Sequence, residues 1–245
     1  NEEQIINEKA GIRVIGLTIE TRPDYIMPKS KNNLIDFSEI EFMRYIGVTR
    51  IQLGIQSTKD NILKNINRKC TNQMNKLGIK RVLQNGFKLT IHIMYDLPGS
   101  SPEIDIEVID EIVDSPDYQS DDWKLYPTAT TPYTKIKEWY DQGKYKPYAE
   151  EHSKGTSYKL VDVIVYSLKR APSYVRINRV VRDIPHKSID AGLKMSNLRQ
   201  IVREKMIKEN INCNDIRERE SKNKILDFND LKLNVKTYSS SSGIE

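Results

Sequence analysis

The chain has 245 residues, of which 38% are hydrophobic and 30% are charged, and its formal net charge is +5. This length suffices for one large domain or two small ones with a buried core, which excludes a short peptide-like protein. Two cysteines far apart in sequence exclude a disulfide framework and favour a reducing compartment, and no apolar run approaches the roughly 20 residues that span a bilayer. We therefore expect a cytoplasmic protein with no membrane partner.

The first pattern in the chain is a hydrophobic strand, predicted over residues 12–19, that ends in polar residues before a proline. Two further predicted strands, over residues 50–55 and 88–94, end in the same way. The polar residues at these three ends are Glu20, Thr21, Arg22, Gln56, Ser57 and Asp96. The carboxyl ends of parallel strands meet at one edge of a sheet, where ligands bind in such folds. A surface capping role is the alternative for any one of these ends.

Helices are predicted between these strands. The first begins at a capping box, Ser38 with Glu41, and ends at Gly47, and the second runs from about Thr71 to Gly86. A third opens at Ser101, which is followed by a proline. Alternating buried strands and amphipathic helices predict an α/β fold with a parallel sheet. Three such units are too few for an eight-stranded barrel, so either the sheet is open or its first half lies upstream.

The regular alternation stops after Asp114, where prolines and aromatic residues predict an irregular lobe. Helices are predicted over about 156–169 and 197–208, on either side of a basic loop at 174–193. Basic residues greatly outnumber acidic ones between residues 154 and 208. A tail with weak strand character follows at 231–238.

Nine sequence blocks, taken together and in order, resemble the catalytic subunit of the Elongator complex, a radical-SAM and acetyltransferase enzyme that modifies wobble uridine in tRNA. The blocks are GLTIETRPDY at 16–25, LGIQS at 53–57, NR at 67–68, HIM with DLP at 92–98, KLYPT at 124–128, GKYK at 143–146, RINR with RDIP at 176–185, NLR at 197–199, and CxDIRxRE at 213–220. Tyr95, Cys70 and the segment after Thr128 depart from the family pattern.

The resemblance implies the second half of a partial (β/α) TIM-like radical SAM barrel over residues 1–115. An irregular aromatic and basic α-rich lobe that contacts tRNA would follow at 116–210, and a linker with the start of an acetyltransferase domain at 211–245. The implied cofactors are a [4Fe-4S] cluster, S-adenosylmethionine (SAM) and acetyl-CoA. Three clustered cysteines hold the cluster in the family, and Cys70 and Cys213 do not match them, so its ligands are expected outside this chain segment.

The resemblance also implies roles for the residues at the strand ends. Glu20, Thr21 and Arg22 would contact the ribose or the carboxylate of SAM, with Gln56 and Ser57 beside them. Three alternatives stay open: Arg22 pairs with Asp24, Asp96 caps the helix that opens at Pro102 rather than binding a ligand, and His92 is a satisfied core residue. Lys124 and Tyr126 are the catalytic candidates, although an aromatic core role is the default interpretation for Tyr126.

Arginines spaced three apart in the basic loop suggest a surface that follows the phosphates of tRNA, with an aromatic ring nearby for stacking on a base. The expected RNA-binding residues are Tyr174, Arg176, Arg179, Arg182, Lys187 and Arg199. An internal ion pair between Arg182 and Asp183 is the alternative for that part of the loop.

The predicted function is part of a tRNA wobble uridine (U34) modifying enzyme. In such an enzyme a radical derived from SAM activates the acetyl group of acetyl-CoA, which becomes a carboxymethyl group on C5 of the uridine. This segment alone is expected to be inactive, and other Elongator-type subunits are candidate partners. The alternatives are another radical-SAM enzyme, since LGIQS also occurs in porphyrin-forming relatives, and a non-catalytic tRNA-binding remnant.

Overall fold

A computed structural model of the chain describes residues 2–27, 39–150, 159–223, 227, 229 and 231–244. Its strands are β1 Thr18–Thr21, β2 Arg50–Gln56, β3 Lys88–Tyr95, β4 Asp122–Pro127, β5 Ala129–Thr130, β6 Arg176–Arg179, β7 Ala191–Gly192, β8 Ser239–Ser240 and β9 Gly243–Ile244. Five of them form a sheet in the order β1-β2-β3-β4-β6, and every neighbouring pair is parallel. The predicted α/β fold with a parallel sheet is therefore confirmed.

The described helices are α1 Glu2–Lys9, α2 Glu39–Tyr45, α3 Asp60–Asn65, α4 Asn72–Gln84, α5 Pro102–Asp114, α6 Lys135–Asp141, α7 Lys159–Arg170 and α8 Leu198–Lys208. Local sequence explains the ends of two of them. The Thr71 hydroxyl accepts a hydrogen bond from Met74 N at the start of α4, and Ser101 does the same for Ile104 N at the start of α5. Gly86 ends α4 with a φ of +71°.

The two faces of the sheet differ in polarity, because side chains alternate along each strand. One face is apolar and packs against the helices; it includes Ile51, Leu53, Leu89, Ile91, Trp123 and Leu125, all of which are buried. The opposite face bears polar side chains on three neighbouring strands: Gln52 on β2 pairs in register with Thr90 on β3, and His92 on β3 pairs in register with Lys124 on β4. The sheet therefore has one face for packing and one for a polar site.

The first strand is shorter than predicted. Only Thr18–Thr21 is strand, and Ile12, Val14 and Ile15 in the predicted range are exposed. The physical reason is that β1 lies at the edge of the sheet and pairs only with β2, over four residues. The residues before Thr18 have no neighbouring strand to extend the pairing.

The sheet also continues past the point where the sequence pattern became irregular. β4 and β6 were predicted as parts of an irregular lobe, but both join the sheet in parallel. The segment containing Arg176 and Arg179 is thus a strand instead of a loop. The division into units at 1–115, 116–210 and 211–245 stays a prediction, with the sheet drawing strands from the first two.

Three further expectations concern the end of the first predicted helix, the strand predicted at 231–238 and the absence of a membrane span. Gly47, the predicted end of the first helix, has a φ of +90°, whereas Ser38 of the predicted capping box lies outside the described residues. The predicted strand at 231–238 is not observed, and Leu233 and Val235 there are exposed. None of the described helices combines the length and the apolarity that crossing a membrane requires.

Candidate functional site

A cleft of about 570 Å³ opens at the carboxyl ends of the sheet strands. Its lining includes four of the predicted cofactor residues, Glu20, Thr21, Arg22 and Gln56, together with Tyr25, Gly54, Ile66, Arg68, Met94 and Arg182. A volume of this size is typical of sites for small molecules and cofactors. The ends of β1 and β2 therefore converge on one cleft, and the contact of these residues with a cofactor stays a prediction.

A hydrogen-bonded row on the polar face of the sheet connects to this cleft. The Lys124 ammonium donates to Gln52 Oε1 at 2.5 Å, and His92 Nε2 lies 3.0 Å from the same oxygen. Since that oxygen accepts from Lys124, His92 must carry its proton on Nε2. Glu20 Oε1, in the cleft, lies 3.5 Å from His92 Nδ1. Because that nitrogen then carries no proton, the two atoms are neighbours and do not form a hydrogen bond.

Burial and neighbouring cations set the charge of this row. Burial, helped by Lys124, Arg182 and Arg68, lowers the pKa of His92 to about 4, so the imidazole is neutral at physiological pH. Burial also lowers the pKa of Lys124 from its ordinary value, against an opposing effect of Glu20. Lys124 is therefore a proton donor whose ammonium form is less favoured than that of an exposed lysine.

Tyr126, the second catalytic candidate, is buried beside this row. Its ring meets His92 edge-on with centroids 5.6 Å apart, and the Arg182 guanidinium carbon lies 5.5 Å from the centre of the Tyr126 ring. Burial raises the pKa of the Tyr126 hydroxyl. Tyr126 is therefore a buried aromatic residue that does not line the cleft itself but lies against Arg182, which does.

Arg68 was not among the predicted site residues, although its block contributed to the resemblance. It lines the cleft, and Arg68 Nη2 donates to the Gly54 carbonyl at 2.6 Å. Its Nε is buried and has no hydrogen-bond partner among the described residues. Burial lowers the pKa of Arg68, which means that its charge is poorly solvated. A half-buried guanidinium with an unused donor is suited to an anionic ligand.

Because residue 54 is a glycine, the side chains of Gln56 and Arg68 can pack directly against the backbone of β2 at that position. A Cβ placed there would lie 2.6 Å from Gln56 Nε2 and 2.7 Å from Arg68 Nη2. The register between β2 and β3 shifts at this point, and Gln56 has a φ of +67°. The strained backbone at Gln56 turns the chain at the cleft wall.

The alternative for Arg22 is realised in the structure. Its guanidinium makes a two-pronged pair with Asp24, at 2.9 Å from Nε and 2.6 Å from Nη2, and lies 4.8 Å from the centre of the Tyr25 ring. Cys70 also donates to Asp24 Oδ1. Arg22 lines the cleft with its charge already balanced, so Arg68 is the better placed cation for a ligand.

Ser57 and Asp96 are not in the cleft, contrary to the prediction that they contact the cofactor. The buried Ser57 hydroxyl accepts from Lys59 N in the turn before α3. The Asp96 carboxylate accepts from Tyr148 N and Ala149 N, each at 2.9 Å. Asp96 does not cap the helix at Pro102 either, because Ser101 does so. Both side chains satisfy backbone N–H groups and therefore fix loops.

Asp96 also belongs to a buried acidic pair. Asp105 Oδ2 accepts hydrogen bonds from Asp96 N and the Tyr148 hydroxyl, and Asp105 Oδ1 accepts from Ser100. Burial raises the pKa of Asp96 to about 8 and that of Asp105 to about 6. These carboxyl groups retain protons in the folded protein at pH values where the unfolded chain has lost them.

We expect the free energy of unfolding to fall as the pH rises from about 4 to 8. The folded state then binds more protons than the unfolded state, with a slope of about 1.4 kcal/mol per pH unit for each retained proton. Asp96→Asn should flatten this slope above pH 6, whereas Asp162→Asn, at an exposed position, should not. Urea unfolding between pH 5 and pH 8 measures the effect, and equal slopes in the wild type and Asp96→Asn would contradict it.

Three of the predicted RNA-binding residues are occupied by internal contacts. The Tyr174 ring stacks on Tyr238 at a centroid distance of 3.6 Å, and its hydroxyl bonds to Gln119. Arg176 pairs with Glu220. Arg199 donates to the Ile177 carbonyl and pairs with Asp215 and Glu218. The expectation that Tyr174 is free to stack on a base is therefore wrong, because a segment 64 residues later in the chain covers its ring.

The other three predicted RNA-binding residues face solvent near the carboxyl edge of the sheet. Arg179 pairs with Asp183 at 2.6 Å, but both side chains are more than half exposed, so this pair is weak. The expected alternative, a pair between Arg182 and Asp183, is thus replaced by one with Arg179. Arg182 and Lys187 are exposed, and among the described residues no carboxylate pairs with either.

The chain is similar to two family models and to curated proteins that modify tRNA. Residues 1–112 match the model described as the radical SAM superfamily, and residues 120–208 match the model described as the radical SAM C-terminal domain. The chain is 35% identical, over its full length, to a tRNA uridine(34) acetyltransferase of Methanocaldococcus jannaschii and covers 43% of that protein. It is 32% identical to human Elongator complex protein 3, over 87% of this chain and 36% of that protein.

The solved structure of archaeal Methanocaldococcus infernus Elp3 with an N-terminal deletion (1–46) is also similar. Its TM-score is 0.88 at 36% sequence identity, and the match covers 99% of this chain and 55% of that chain. The chain thus spans less than half the length of the two curated relatives named above.

Proposed function

Because this chain belongs to the radical SAM superfamily, in the family of Elongator complex protein 3 and the tRNA uridine(34) acetyltransferases, we propose that it is part of an enzyme that modifies tRNA at U34. The proposed reaction adds a carboxymethyl group, derived from acetyl-CoA, to C5 of the uridine. The observation that carries the proposal is the cleft at the carboxyl edge of the sheet, which is lined by Glu20 and the half-buried Arg68 and lies next to the row that contains Lys124.

The cleft fits SAM. Glu20, which is more than half exposed, can accept hydrogen bonds from ribose hydroxyls, and the unused Nε donor of Arg68 suits the carboxylate of the methionine part. The close crossing at Gly54 holds Arg68 and Gln56 in the cleft wall. In this family SAM supplies the oxidising radical when it is bound to a reduced iron–sulfur cluster.

The described residues do not fit the cluster itself. Among them, no group of three His, Cys, Asp or Glu side chains can hold a metal ion. Cys70 donates to Asp24, and Cys213 donates to the Leu168 carbonyl. Burial raises the pKa of both thiols, which disfavours the thiolate that ligates iron. No step is assigned to these cysteines.

Lys124 and Tyr126 would act on the reacting uridine or acetyl group next to this cleft. Lys124 can donate a proton or a hydrogen bond to a carbonyl oxygen, and Gln52 orients its ammonium. His92 is neutral and donates to Gln52, so it positions Lys124 through that amide and does not itself exchange protons at physiological pH. Arg182 covers Tyr126 and excludes water from that side.

Binding and activity measurements test this proposal. For the natural gene product, we expect SAM and a tRNA transcript each to bind, and mass spectrometry of digested tRNA to show a modified U34 only when SAM and acetyl-CoA are both present. Binding of tRNA without SAM would favour a non-catalytic tRNA-binding protein. Binding of SAM without tRNA would favour a radical-SAM enzyme with another substrate.

A second prediction concerns the contribution of the exposed Arg182 and Lys187 to tRNA binding. We expect the double variant Arg182→Ala/Lys187→Ala to weaken tRNA binding at 100 mM salt by roughly tenfold and to reduce the slope of log K against log salt by about 2. The reason is that each exposed cation releases about one counterion when it contacts a phosphate. Arg176→Ala is the matched control, because Glu220 already neutralises that side chain. An unchanged salt slope in the double variant would remove these residues from the RNA surface.

A further inference from the structure

Tyr133 combines two unfavourable features in one residue. Its side chain is completely exposed, and its backbone has a φ of +61°, in the left-handed region that bulky residues seldom adopt. Among the described residues, no hydrogen bond, ion pair or ring contact of Tyr133 is found. An aromatic ring that is held in solvent at a strained backbone position contributes nothing to the packed core. Such outliers occur preferentially at binding sites.

The backbone around Tyr133 is well fixed. Thr134 Oγ1 donates to the Thr131 carbonyl at 2.6 Å and closes the loop before α6. The antiparallel ribbon of β5 and β7 pairs Ala129 with Gly192 and Thr130 with Ala191, so Tyr133 lies just beyond the end of this ribbon. The ring is thus presented from a rigid support, which reduces the entropy lost on binding.

The ribbon starts from the carboxyl edge of the sheet, which is the edge that bears the cleft. β5 follows β4 after one residue, Thr128, whose N and Oγ1 both donate to the Tyr95 carbonyl at the end of β3. Gly192 has a φ of +94°, and a Cβ there would lie 2.7 Å from the Thr128 carbonyl oxygen. The ribbon is therefore held tightly against the end of β4.

Positive charge lies at the same end of the ribbon. The chain reaches β7 through the segment after β6, and the short 3₁₀ helix His186–Ser188 in it precedes Ala191 by three residues. In an antiparallel pair, the residues before Ala191 lie at the same end as those after Thr130. Tyr133 and the exposed Lys187 are therefore at one end of the ribbon, and Arg182 on the same connection reaches the cleft.

We propose that Tyr133 is a stacking platform for an unpaired base of the RNA substrate, next to the base that enters the cleft. This inference rests on the proposed function and adds a residue for the RNA loop. Single-stranded loops are recognised by aromatic rings that stack on splayed bases while nearby cations contact the phosphates. The ribbon end supplies both kinds of group, and the ribbon starts from the edge of the sheet that bears the cleft, an arrangement that suits an anticodon loop.

The test measures the binding of an anticodon stem-loop RNA with the natural gene product and four variants. We expect Tyr133→Ala to weaken binding by about 5- to 100-fold, the range for loss of one base–aromatic stack. Tyr133→Phe should stay within about twofold of wild type, since the ring is retained. A 2-aminopurine placed beside U34 should be quenched on binding to the wild type and to Tyr133→Phe but not to Tyr133→Ala.

Tyr133→Gly separates binding from folding. Glycine adopts a positive φ without strain, so we expect its thermal midpoint not to fall while its RNA affinity falls as in Tyr133→Ala. Tyr45→Ala is the matched control, because Tyr45 is also exposed but ends α2, just before the amino end of β2. If the wild type binds RNA and Tyr133→Ala binds equally well, this inference fails alone. If the wild type does not bind RNA, the proposed function itself fails.

Discussion

Replacing Lys124 with methionine should lower the rate of U34 modification by about two to four orders of magnitude, the range for a lost proton-transfer group. Methionine has a similar length but cannot donate to Gln52 Oε1 or to a substrate carbonyl. SAM affinity should change little, since Lys124 lies beneath the cleft and is not part of its lining. Single-turnover rates of the natural gene product under anaerobic conditions, with saturating SAM, acetyl-CoA and tRNA, measure the effect.

The pH profile distinguishes a proton donor from a merely structural lysine. Burial lowers the pKa of Lys124, so the wild-type rate should decline on the alkaline side at a lower pH than an ordinary lysine would give. Lys124→Arg should retain the positive charge and shift that decline to higher pH. Lys88→Met, at the amino end of the neighbouring strand, is the control and should leave the rate unchanged. An equal loss of SAM binding and rate in Lys124→Met would instead assign Lys124 to cofactor binding.

Replacing Arg68 with methionine should weaken SAM binding by about 10- to 100-fold, because a hydrogen bond to a charged group contributes about 1.5–3 kcal/mol. Arg68 lines the cleft, and its buried Nε has no hydrogen-bond partner among the described residues, so a ligand carboxylate that reaches this side chain would satisfy that donor. The same variant should bind 5′-methylthioadenosine as well as the wild type does, because this analogue lacks the methionine carboxylate. Isothermal titration with the two ligands gives both affinities.

The comparison of the two ligands makes the Arg68 prediction specific. A loss of equal size for SAM and 5′-methylthioadenosine would mean that Arg68 shapes the cleft and does not bind the carboxylate. Glu20→Gln should weaken the two ligands equally, since both contain the ribose. Arg203→Met, on α8 and outside the cleft, is the control for the loss of an arginine. Gly54→Ala should reproduce the Arg68→Met result, because its Cβ displaces the guanidinium.

The positions of Arg68 and Lys124 relative to the cleft explain why we expect one to bind SAM and the other to act in the reaction. Glu20 and Arg68 line the cleft, where a ligand meets them directly. Lys124 does not line the cleft and donates to Gln52 Oε1, which also binds His92. A ligand in the cleft would therefore separate the row from solvent, which strengthens electrostatic interactions within it.

The site was only partly predictable because the strands were interpreted as continuous apolar runs, although polar and apolar side chains alternate along them. Arg50, Gln52 and Gly54 alternate with Ile51 and Leu53 on β2, a period-two pattern that marks a sheet with one polar face. The same pattern places Thr90 and His92 on β3, and Lys124 and Tyr126 on β4. Counting this alternation would have identified Gln52 and His92 as site residues. Continuous burial was expected instead, as in a sheet covered on both faces.

The features that depend on near neighbours along the chain were predictable from residue order alone. The caps at Thr71 and Ser101, the left-handed glycine at position 86 and the convergence of Glu20 and Gln56 all follow from local residue types and strand direction. These features involve few residues, and each is recognisable from a short stretch of chain.

The folded arrangement of distant segments, by contrast, sets which strands join the sheet and which charged side chains are free of internal partners. β6 pairs with β4 across about fifty residues, and Glu220 neutralises Arg176 across forty-four. Tyr238 covers Tyr174, and the N–H groups of Tyr148 and Ala149 hold Asp96 away from the cleft. Contacts between residues so far apart leave no periodic pattern in the chain. Burial and pairing in the folded protein, and not residue type, therefore determine which charged groups are available to a ligand.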